Sequence, residues 1–395
     1  MYLVSSIRIR FLLPFSYALI FCSYSAAEKA IEDEWNDIAR VVAIGDIHGS
    51  YKNYIQILND SGLIDDYGSW IGQDTHLVQV GDLPDRGPDT AKIIKHLQKL
   101  EKEAVREGGM IHLLIGNHEF MNVIGDLRYV HAGEYEAFVT PRSAKLRDAY
   151  HKKIIREIKT KRTLQKSSPI EMQMDLPNID ETFKKTLYEK IPLGYVEHRL
   201  AWQPGGKINS WIAKHNAVIK INDMLFLHAG LGPSAVNLSI QEINERIRAE
   251  ILGQIKYKSG LGNSQDGPLW YRGLAMNSEE AETKHLEGLL KKHDIKKIII
   301  GHTPSLGVIT PRFGSKVLII DTGISEHYGG NRSSLIIENN LFFASYDGRD
   351  FNLPTEEKDI VRYFQEMVNL KPDSKLLKSY LKTLLSKDTH SRLGE

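Results

Sequence analysis

Short runs of β-branched and other apolar residues recur along the chain from residue 40 onward. They cover residues 40–44, 76–80, 110–115, 217–227, 297–300 and 317–320, and the fourth is broken at Asn222-Asp223. Continuous apolar runs of this length are typical of strands that are buried on both faces. Helical spacing fills the stretches 90–107 and 278–293 between them. This alternation predicts an α/β sandwich whose ligand-binding loops lie at the carboxyl ends of its strands.

Three further segments complete the predicted fold. Two apolar runs, 334–338 and 341–345, flank Asn339-Asn340 and predict a β-hairpin. Residues 134–215 lack a buried-strand run and are rich in charge, which predicts a helical insertion with a loop around Ser167-Ser168-Pro169. We therefore expect a main domain at 28–350, interrupted by that insertion, and a charged helical C-terminal tail at 351–395.

The N-terminus has the pattern of a secretory signal peptide. Arg8 and Arg10 precede an apolar stretch, Phe11 to Phe21, which is followed by small residues up to Ala27. We expect residues 1–27 to be removed after Ala27 and the remaining chain to be exported, either to a periplasm or out of the cell. An uncleaved anchor or an N-terminal helix is the alternative interpretation of the same residues.

Composition excludes several classes of protein and partner. The chain has 395 residues, 51 Lys+Arg against 50 Asp+Glu, and 42% hydrophobic residues, which argues against disorder and provides for a large core. The single cysteine, Cys22, excludes a disulfide framework and a thiolate-rich metal site. A formal net charge of +1 creates no general attraction for nucleic acid. The sequence has no second long apolar segment, so we do not expect stable membrane insertion. The oligomeric state stays open.

Each of the first five runs ends in a short motif of glycine with aspartate, histidine or asparagine. The motifs are Gly45-Asp46-Ile47-His48-Gly49, Gly81-Asp82-Leu83-Pro84-Asp85-Arg86-Gly87, Gly116-Asn117-His118-Glu119, His228-Ala229-Gly230 and Gly301-His302-Thr303. One such motif is typical of an ordinary turn, but five in order, each directly after a buried-type strand, predict a shared metal site. Oxygen and nitrogen ligands without sulfur suit manganese, iron, zinc or magnesium. The other histidines lack this context and are expected at the surface, including His96, His131, His151 and His285.

The motif set resembles that of the calcineurin-like metallophosphoesterases, and within them the phosphoprotein phosphatase family. The resemblance covers residues 40–345 outside the insertion and implies a metallophosphatase-type β-sandwich flanked by helices. Within the family the chain is most similar to the Shewanella-like protein phosphatases, on two further segments: Gly125-Asp126-Leu127-Arg128-Tyr129-Val130 and Leu269-Trp270-Tyr271-Arg272-Gly273. His228-Ala229-Gly230 departs from the usual His-Gly-Gly, and the tyrosine–cysteine loop of the eukaryotic serine/threonine enzymes is not recognisable.

The resemblance also implies roles for individual residues. Two divalent metal ions, manganese first with iron and zinc as alternatives, would be bridged by Asp82 and completed by Asp46, His48, Asn117, His228 and His302. His118 would be the general acid, oriented by Asp85, and the phosphate would be bound by Arg86, Arg272 and Asn117. Glu119 would support the metal loop. Tyr328 would either stack over the phosphate or be an ordinary loop residue, and Arg128 would either bind substrate or pair only with Asp126.

These residues favour a phosphoprotein phosphatase that hydrolyses phosphomonoesters of serine, threonine or tyrosine, with a phosphoprotein or phosphopeptide as its partner. The resemblance implies direct attack by a hydroxide that bridges the two metals. A hydrolase of nucleotides or other small phosphoesters, such as diadenosine polyphosphates, is the first alternative, which Asp85-Arg86-Gly87 and Glu119 disfavour. A non-catalytic metal-binding adaptor is the second alternative, and the intact His118, Asp85 and Arg86 argue against it.

Overall fold

Strands from widely separated segments of the chain form two sheets, each of six strands, in the computed structural model. It describes residues 31–166 and 176–393, and the elements below belong to the compact unit Asp33–Glu395. The strands are β1 Glu34–Trp35, β2 Arg40–Ile44, β3 His76–Gln79, β4 Met110–Leu113, β5 Val218–Ile221, β6 Met224–Leu227, β7 Lys297–Ile300, β8 Thr310–Arg312, β9 Val317–Ile319, β10 Ser333–Glu338, β11 Leu341–Tyr346 and β12 Arg349–Asn352. The predicted signal peptide and the loop predicted around Ser167-Ser168-Pro169 lie outside the described residues.

Helices connect and cover these strands. They are α1 Tyr51–Asp60, α2 Thr90–Arg106, α3 Asn117–Ile124, α4 Ala132–Glu136, α5 Ser143–Lys166, α6 Glu181–Lys190, α7 Tyr195–Trp202, α8 Lys207–Ile212, α9 Ile240–Ile251, α10 Gly273–Met276, α11 Glu279–His293, α12 Ile360–Leu370 and α13 Lys375–Leu393. The predicted helical insertion is confirmed by α4 to α8, and the predicted helical tail is confirmed by α12 and α13. Within the described residues, no helix combines the length and the apolar character needed to cross a membrane.

The order of the strands places their functional ends together. One sheet has the order β12-β11-β10-β2-β3-β4, in which β2, β3 and β4 are mutually parallel. The other has the order β1-β5-β6-β7-β9-β8, in which β6, β7 and β9 are parallel. Because parallel neighbours end at the same sheet edge, the loops after β2, β3 and β4 lie side by side, as do those after β6, β7 and β9.

The apolar runs are buried on both faces, as their composition predicts. In β2, Val41 and Ala43 belong to one buried cluster that also contains Phe226 and Ile299 of the second sheet. The alternate residues of β2, including Ile44, belong to a second cluster with residues of the covering helices. Side chains alternate between the faces of a strand, so one set fills the space between the sheets while the other packs beneath the helices. The predicted sandwich flanked by helices is therefore confirmed.

Several short elements have no counterpart in the sequence prediction. Strand β8 contains Pro311, which lacks an amide donor, and it lies at a sheet edge where that loss is tolerated. Strand β1 is only two residues long, and neither α1 nor α9 was assigned from the sequence. The predicted hairpin is confirmed: Asn339 and Asn340 take φ values of 48° and 64°, the left-handed conformation of a tight two-residue turn.

The C-terminal helices are anchored to the sandwich. Strand β12 runs across the predicted boundary at residue 350, and α12 buries Tyr363 and Phe364 in the cluster between the sheets. The hydroxyl of Tyr363 donates to the carbonyl of Ile309 at 2.7 Å and lies 2.9 Å from the hydroxyl of Tyr346. The tail thus contributes to the core of the sandwich.

The expectation that the unassigned histidines lie at the surface is wrong for six of them, which are buried: His76, His96, His112, His151, His198 and His293. His96 and His151 are buried, and the Nδ1 atom of His96 lies 3.0 Å from the hydroxyl of Tyr54. His285 is partly buried with its Nε2 atom 2.6 Å from the carbonyl of Leu231, whereas His131 is exposed. The rings of His96 and His151 lie on the inner faces of helices α2 and α5, positions that helical spacing alone could have indicated.

Candidate metal and phosphate site

The loops that follow five strands bring the predicted ligands into one buried cluster. Loops after β2, β3, β6 and β7 carry Asp and His ligands, and the first residue of α3, directly beyond β4, carries Asn117. None of these side chains is more than 4% exposed; they are Asp46, His48, Asp82, Asn117, His228 and His302. The structure therefore brings the predicted ligands together, although they lie far apart along the chain.

Asp82 lies at the centre of the cluster. It forms one group of three with His48 and His118 and a second group with His228 and His302, and the ligand atoms within each group lie within 4.8 Å of one another. The Nε2 atom of His228 is 3.3 Å from Asp82 Oδ2 and 2.8 Å from Asn117 Oδ1. One carboxylate is thus shared by two sets of ligands, the arrangement expected of a bridging residue.

Asp46 lies in the same cluster, and a further carboxylate joins it. The Oδ2 atom of Asp46 accepts a hydrogen bond from the amide of His302 at 3.0 Å. Burial raises the pKa of Asp46 well above its usual value, and the charges of Asp321 and Asp82 raise it further. Asp321 follows β9 and is 2% exposed, and it is not among the ligands predicted from the sequence. Asp321 could have been predicted from the sequence, because it directly follows the sixth apolar run as the other ligands follow theirs.

The donor set fits divalent metal ions. Asp46, Asp82 and Asp321 place three buried carboxylates in one cluster, where their negative charges repel one another. The buried Nε2 atom of His302 has no hydrogen-bond partner among the described residues. Cations would offset this repulsion and give the imidazole nitrogen a partner, and the oxygen and nitrogen donors match manganese, iron or zinc.

Backbone strain and glycine are concentrated at the same loops. His48, Asp82 and His302 all have positive φ, at 48°, 58° and 65°. Residues other than glycine rarely adopt this conformation, and it persists at functional sites where the surroundings enforce it. At Gly116 a Cβ atom would overlap the Oδ1 atom of Asp82, and at Gly301 it would overlap the Oδ1 atom of Asp46. Glycine is needed there so that the carboxylates fit.

Glu119 ties two ligand loops together, as its predicted supporting role requires. Its carboxylate accepts hydrogen bonds from the amides of Asp82, Leu83 and Gly116 at 2.9, 2.7 and 2.8 Å. Burial raises the pKa of Glu119 to about 7, and the charge of Asp82 adds to that rise. This one side chain therefore sets the relative position of the loops after β3 and β4.

His118 and Asp85 form a buried pair beside the cluster. The Nδ1 atom of His118 lies 2.5 Å from Asp85 Oδ2, and its Nε2 atom lies 3.9 Å from Asp82 Oδ2. Burial lowers the pKa of His118, but the charge of Asp82 and the hydrogen bond and charge of Asp85 outweigh that effect, so the net shift is upward. The Nε2 edge of a readily protonated imidazole thus faces the candidate metal site, the arrangement a general acid requires.

Two of the predicted phosphate-binding arginines border this cluster. The guanidinium of Arg86 lies 3.9 Å from the ring centre of Tyr129 and 5.7 Å from that of Tyr328. Tyr328 also lies against His48, with ring centres 5.3 Å apart. Arg272 donates from Nη1 to the carbonyl of His302 at 3.0 Å. The Arg272 guanidinium is therefore held next to the ligand residue His302, whereas Arg86 lies beside Tyr328, which itself contacts the ligand residue His48.

Arg128 takes the second of its two predicted roles, and its neighbour Tyr129 lies at the site instead. Arg128 is exposed and is paired through Nε and Nη2 with both carboxylate oxygens of Asp126, at 2.8 Å each, which is the alternative left open for it. The neighbouring Tyr129 instead lies at the site, with its ring centre 5.2 Å from that of His118. Tyr129 belongs to the Gly125-Asp126-Leu127-Arg128-Tyr129-Val130 motif, but its position on His118 and Arg86 requires the tertiary fold.

A cluster of oxygen and nitrogen ligands on the strand ends of a sandwich, beside a buried histidine–aspartate pair and two guanidiniums, defines a metal-dependent phosphoesterase. The family model of the calcineurin-like phosphoesterases matches residues 39–306. The chain belongs to this family.

Proteins similar to this chain include two that are named protein phosphatases. Shewanella-like protein phosphatase 2 of Arabidopsis thaliana is 30% identical over 318 residues, which cover 76% of this chain and 75% of that protein. Shewanella-like protein phosphatase 1 of Plasmodium berghei is 30% identical over 301 residues, covering 74% and 68%. Among solved structures, a cold-active protein-tyrosine phosphatase of a psychrophilic Shewanella species superimposes with a TM-score of 0.60 at 26% identity, covering 82% of this chain and 83% of that one.

Proposed function

We propose that this phosphoesterase is a phosphoprotein phosphatase that hydrolyses phosphomonoesters of serine, threonine or tyrosine residues with the help of two divalent metal ions, manganese first. The observation that carries the proposal is the His118–Asp85 pair, whose free Nε2 edge faces the ligand cluster around Asp82. A phosphomonoester with a poor leaving group needs a proton at that oxygen, and a positioned imidazole supplies it. The names of the relatives, which match over most of their length, support a protein substrate.

The residues divide the reaction between them. The guanidiniums of Arg86 and Arg272, together with the amide of Asn117, bind the phosphate oxygens and fix the phosphorus beside the ligand cluster. Planar arginine suits this task because two of its N–H groups can contact two oxygens at once. Two divalent cations, when bound by the cluster, supply an acidified water nucleophile and offset the charge of the phosphate. His118 donates a proton from Nε2 to the leaving oxygen while Asp85 holds Nδ1.

The aromatic side chains define what surrounds the leaving group. The ring of Tyr129 lies against His118 and that of Tyr328 against His48, so flat rings flank the place where a phosphate would sit. Flat rings of this kind suit the phenyl group of phosphotyrosine, and they would also stack against a nucleobase. A dinucleotide hydrolase is therefore the competing function, and substrate preference separates the two.

A matched panel of substrates tests the proposed function. The chain loaded with manganese, iron or zinc is assayed on one peptide sequence carrying phosphoserine, phosphothreonine or phosphotyrosine, and on diadenosine tetraphosphate. We expect phosphate release from at least one phosphopeptide, with a higher kcat/KM than for the dinucleotide. Faster cleavage of the dinucleotide would favour the nucleotide hydrolase. No turnover of the peptides or of p-nitrophenyl phosphate by metal-loaded protein would favour the adaptor.

We also propose that the protein is exported through a signal peptide at residues 1–27. The basic residues Arg8 and Arg10, the apolar stretch after them and the small residues up to Ala27 support it. N-terminal sequencing of the protein purified from its source should begin at Glu28. A chain that begins at Met1 and co-sediments with membranes would support an uncleaved anchor instead.

A further inference from the structure

The loop that carries Asp85 is held in a conformation that it would not adopt alone. Asp85 and Arg86 are consecutive residues with φ values of 74° and 66°. Two adjacent left-handed residues other than glycine are costly, so the surrounding structure has to impose this conformation. The amide of Arg86 is fixed by the carbonyl of Tyr129, 3.0 Å away.

The amide of Asp85 is fixed by a side chain from the helical insertion. The Oε1 atom of Glu134, on α4, accepts the hydrogen bond of this amide at 2.6 Å. Glu134 is 1% exposed, and burial raises its pKa well above the usual value, an effect to which the charge of Asp85 adds. A neutral Glu134 still accepts through Oε1, and in that form it does not repel the carboxylate of Asp85.

A second helix of the insertion supports both partners of the His118–Asp85 pair. The Nε2 atom of His198, on α7, lies 3.8 Å from Glu134 Oε2, and both side chains are buried. The next residue, Arg199, donates from Nη1 to the carbonyl of Asn122. Asn122 in turn donates to Asp85 Oδ1 and to the carbonyl of His118, both at 3.0 Å. The insertion thus contacts the catalytic pair through two routes.

We propose that Glu134 is a positioning residue for the general acid: by binding the amide of Asp85 it holds that carboxylate where it meets His118. This role rests on the proposed function, since it matters only if His118 protonates a leaving group. Glu134 itself touches neither the metal ligands nor the phosphate-binding arginines in any contact that the described residues make. Its effect on the reaction therefore passes through Asp85.

The leaving group distinguishes this role from a general contribution to folding. A phosphoserine peptide needs a proton on its leaving oxygen, whereas p-nitrophenolate leaves without one. For Glu134→Ala we expect kcat on phosphoserine peptide to fall by about 10- to 100-fold, a partial loss of the roughly 100- to 10,000-fold that general acid catalysis contributes, with KM nearly unchanged. The kcat on p-nitrophenyl phosphate should fall by less than about threefold. Glu134→Gln keeps the acceptor oxygen and should restore most of the loss.

Glu136→Ala is the matched control, because this glutamate lies on the same helix and is exposed. It should behave as the unchanged protein. If Glu134→Ala does not fold, Glu134→Asp serves instead, since it keeps the carboxylate but withdraws it by one methylene, and the same selective loss is expected. Metal content and thermal unfolding are measured on each variant to compare only folded, metal-loaded protein.

The outcomes separate this inference from the proposed function. Equal losses on the two substrates, no loss on either, or a selective loss that glutamine does not restore would each overturn the positioning role of Glu134. In all three cases an active unchanged protein leaves the phosphatase proposal intact. An unchanged protein without activity on either substrate would overturn both.

Discussion

The hydrogen bond between Asp85 and His118 offers the sharpest test of the acid in this site. Asp85→Asn preserves the shape of the side chain but replaces a carboxylate by an amide. One amide oxygen can still accept from Asn122, so the NH₂ group then faces the Nδ1 atom of His118. A donor at this position favours the neutral imidazole, which is a much weaker acid for the leaving group.

The size of the effect follows from burial and charge. Asp85 is 0% exposed, so water does not weaken its interaction with the imidazolium. A hydrogen bond to a charged group contributes about 1.5–3 kcal/mol, and each 1.4 kcal/mol corresponds to a factor of about ten in rate. We therefore expect kcat on a phosphoserine peptide to fall by about 10- to 150-fold.

The assay compares leaving groups at fixed metal content. Phosphate release from a phosphoserine peptide and from p-nitrophenyl phosphate is measured for Asp85→Asn and for the unchanged protein, with elemental analysis of both. The loss on p-nitrophenyl phosphate should be less than about threefold, since that leaving group needs no proton. Equal losses on both substrates with unchanged metal content would refute the assignment of His118 as acid.

Two further predictions concern the glycine at a ligand loop and the buried histidines. Gly301→Ala forces a Cβ atom onto the Oδ1 atom of Asp46, so metal affinity measured by titration calorimetry should fall by about 10-fold or more. Unchanged affinity would contradict the close approach of Gly301 to the Asp46 carboxylate. Burial lowers the pKa of His112 from 6.5 to about 3, so the unfolded chain takes up this proton first as the pH falls. Between pH 6.5 and about pH 3, acidification should therefore lower the free energy of unfolding, and His112 contributes at most about 1.4 kcal/mol per pH unit to this fall. In urea unfolding, His112→Gln should reduce this slope, whereas the exposed His327→Gln should not.

The parts of the fold that follow from local pattern could be predicted from the sequence. Arg40–Ile44 is a strand with the predicted bounds, because its buried faces leave a continuous apolar run that ends at a glycine. The side chains of Asp46 and Asp82 could be assigned to one site because parallel strands end at a common edge. Neither inference needs knowledge of a distant contact.

The contacts that link distant segments could not be predicted in this way. Glu134 binds the amide of Asp85 across 49 positions of the sequence, and nothing in its neighbourhood distinguishes it from the exposed Glu136. Tyr129 and Arg128 are adjacent, yet only the folded chain shows which of them faces His118. Asp321 differs from these, because it follows an apolar run as the other ligands do and could have been selected by the same rule.

Metal content around Asp82 tests the central claim most directly. Elemental analysis of the purified chain, after exposure to manganese and removal of the free ion, should give two metal ions per chain and phosphatase activity that a chelator abolishes. Asp82→Asn should lose most of the bound metal and nearly all turnover, because both groups of ligands share this carboxylate. Phosphatase activity that persists without bound metal, or an Asp82→Asn variant that keeps both ions, would contradict the account.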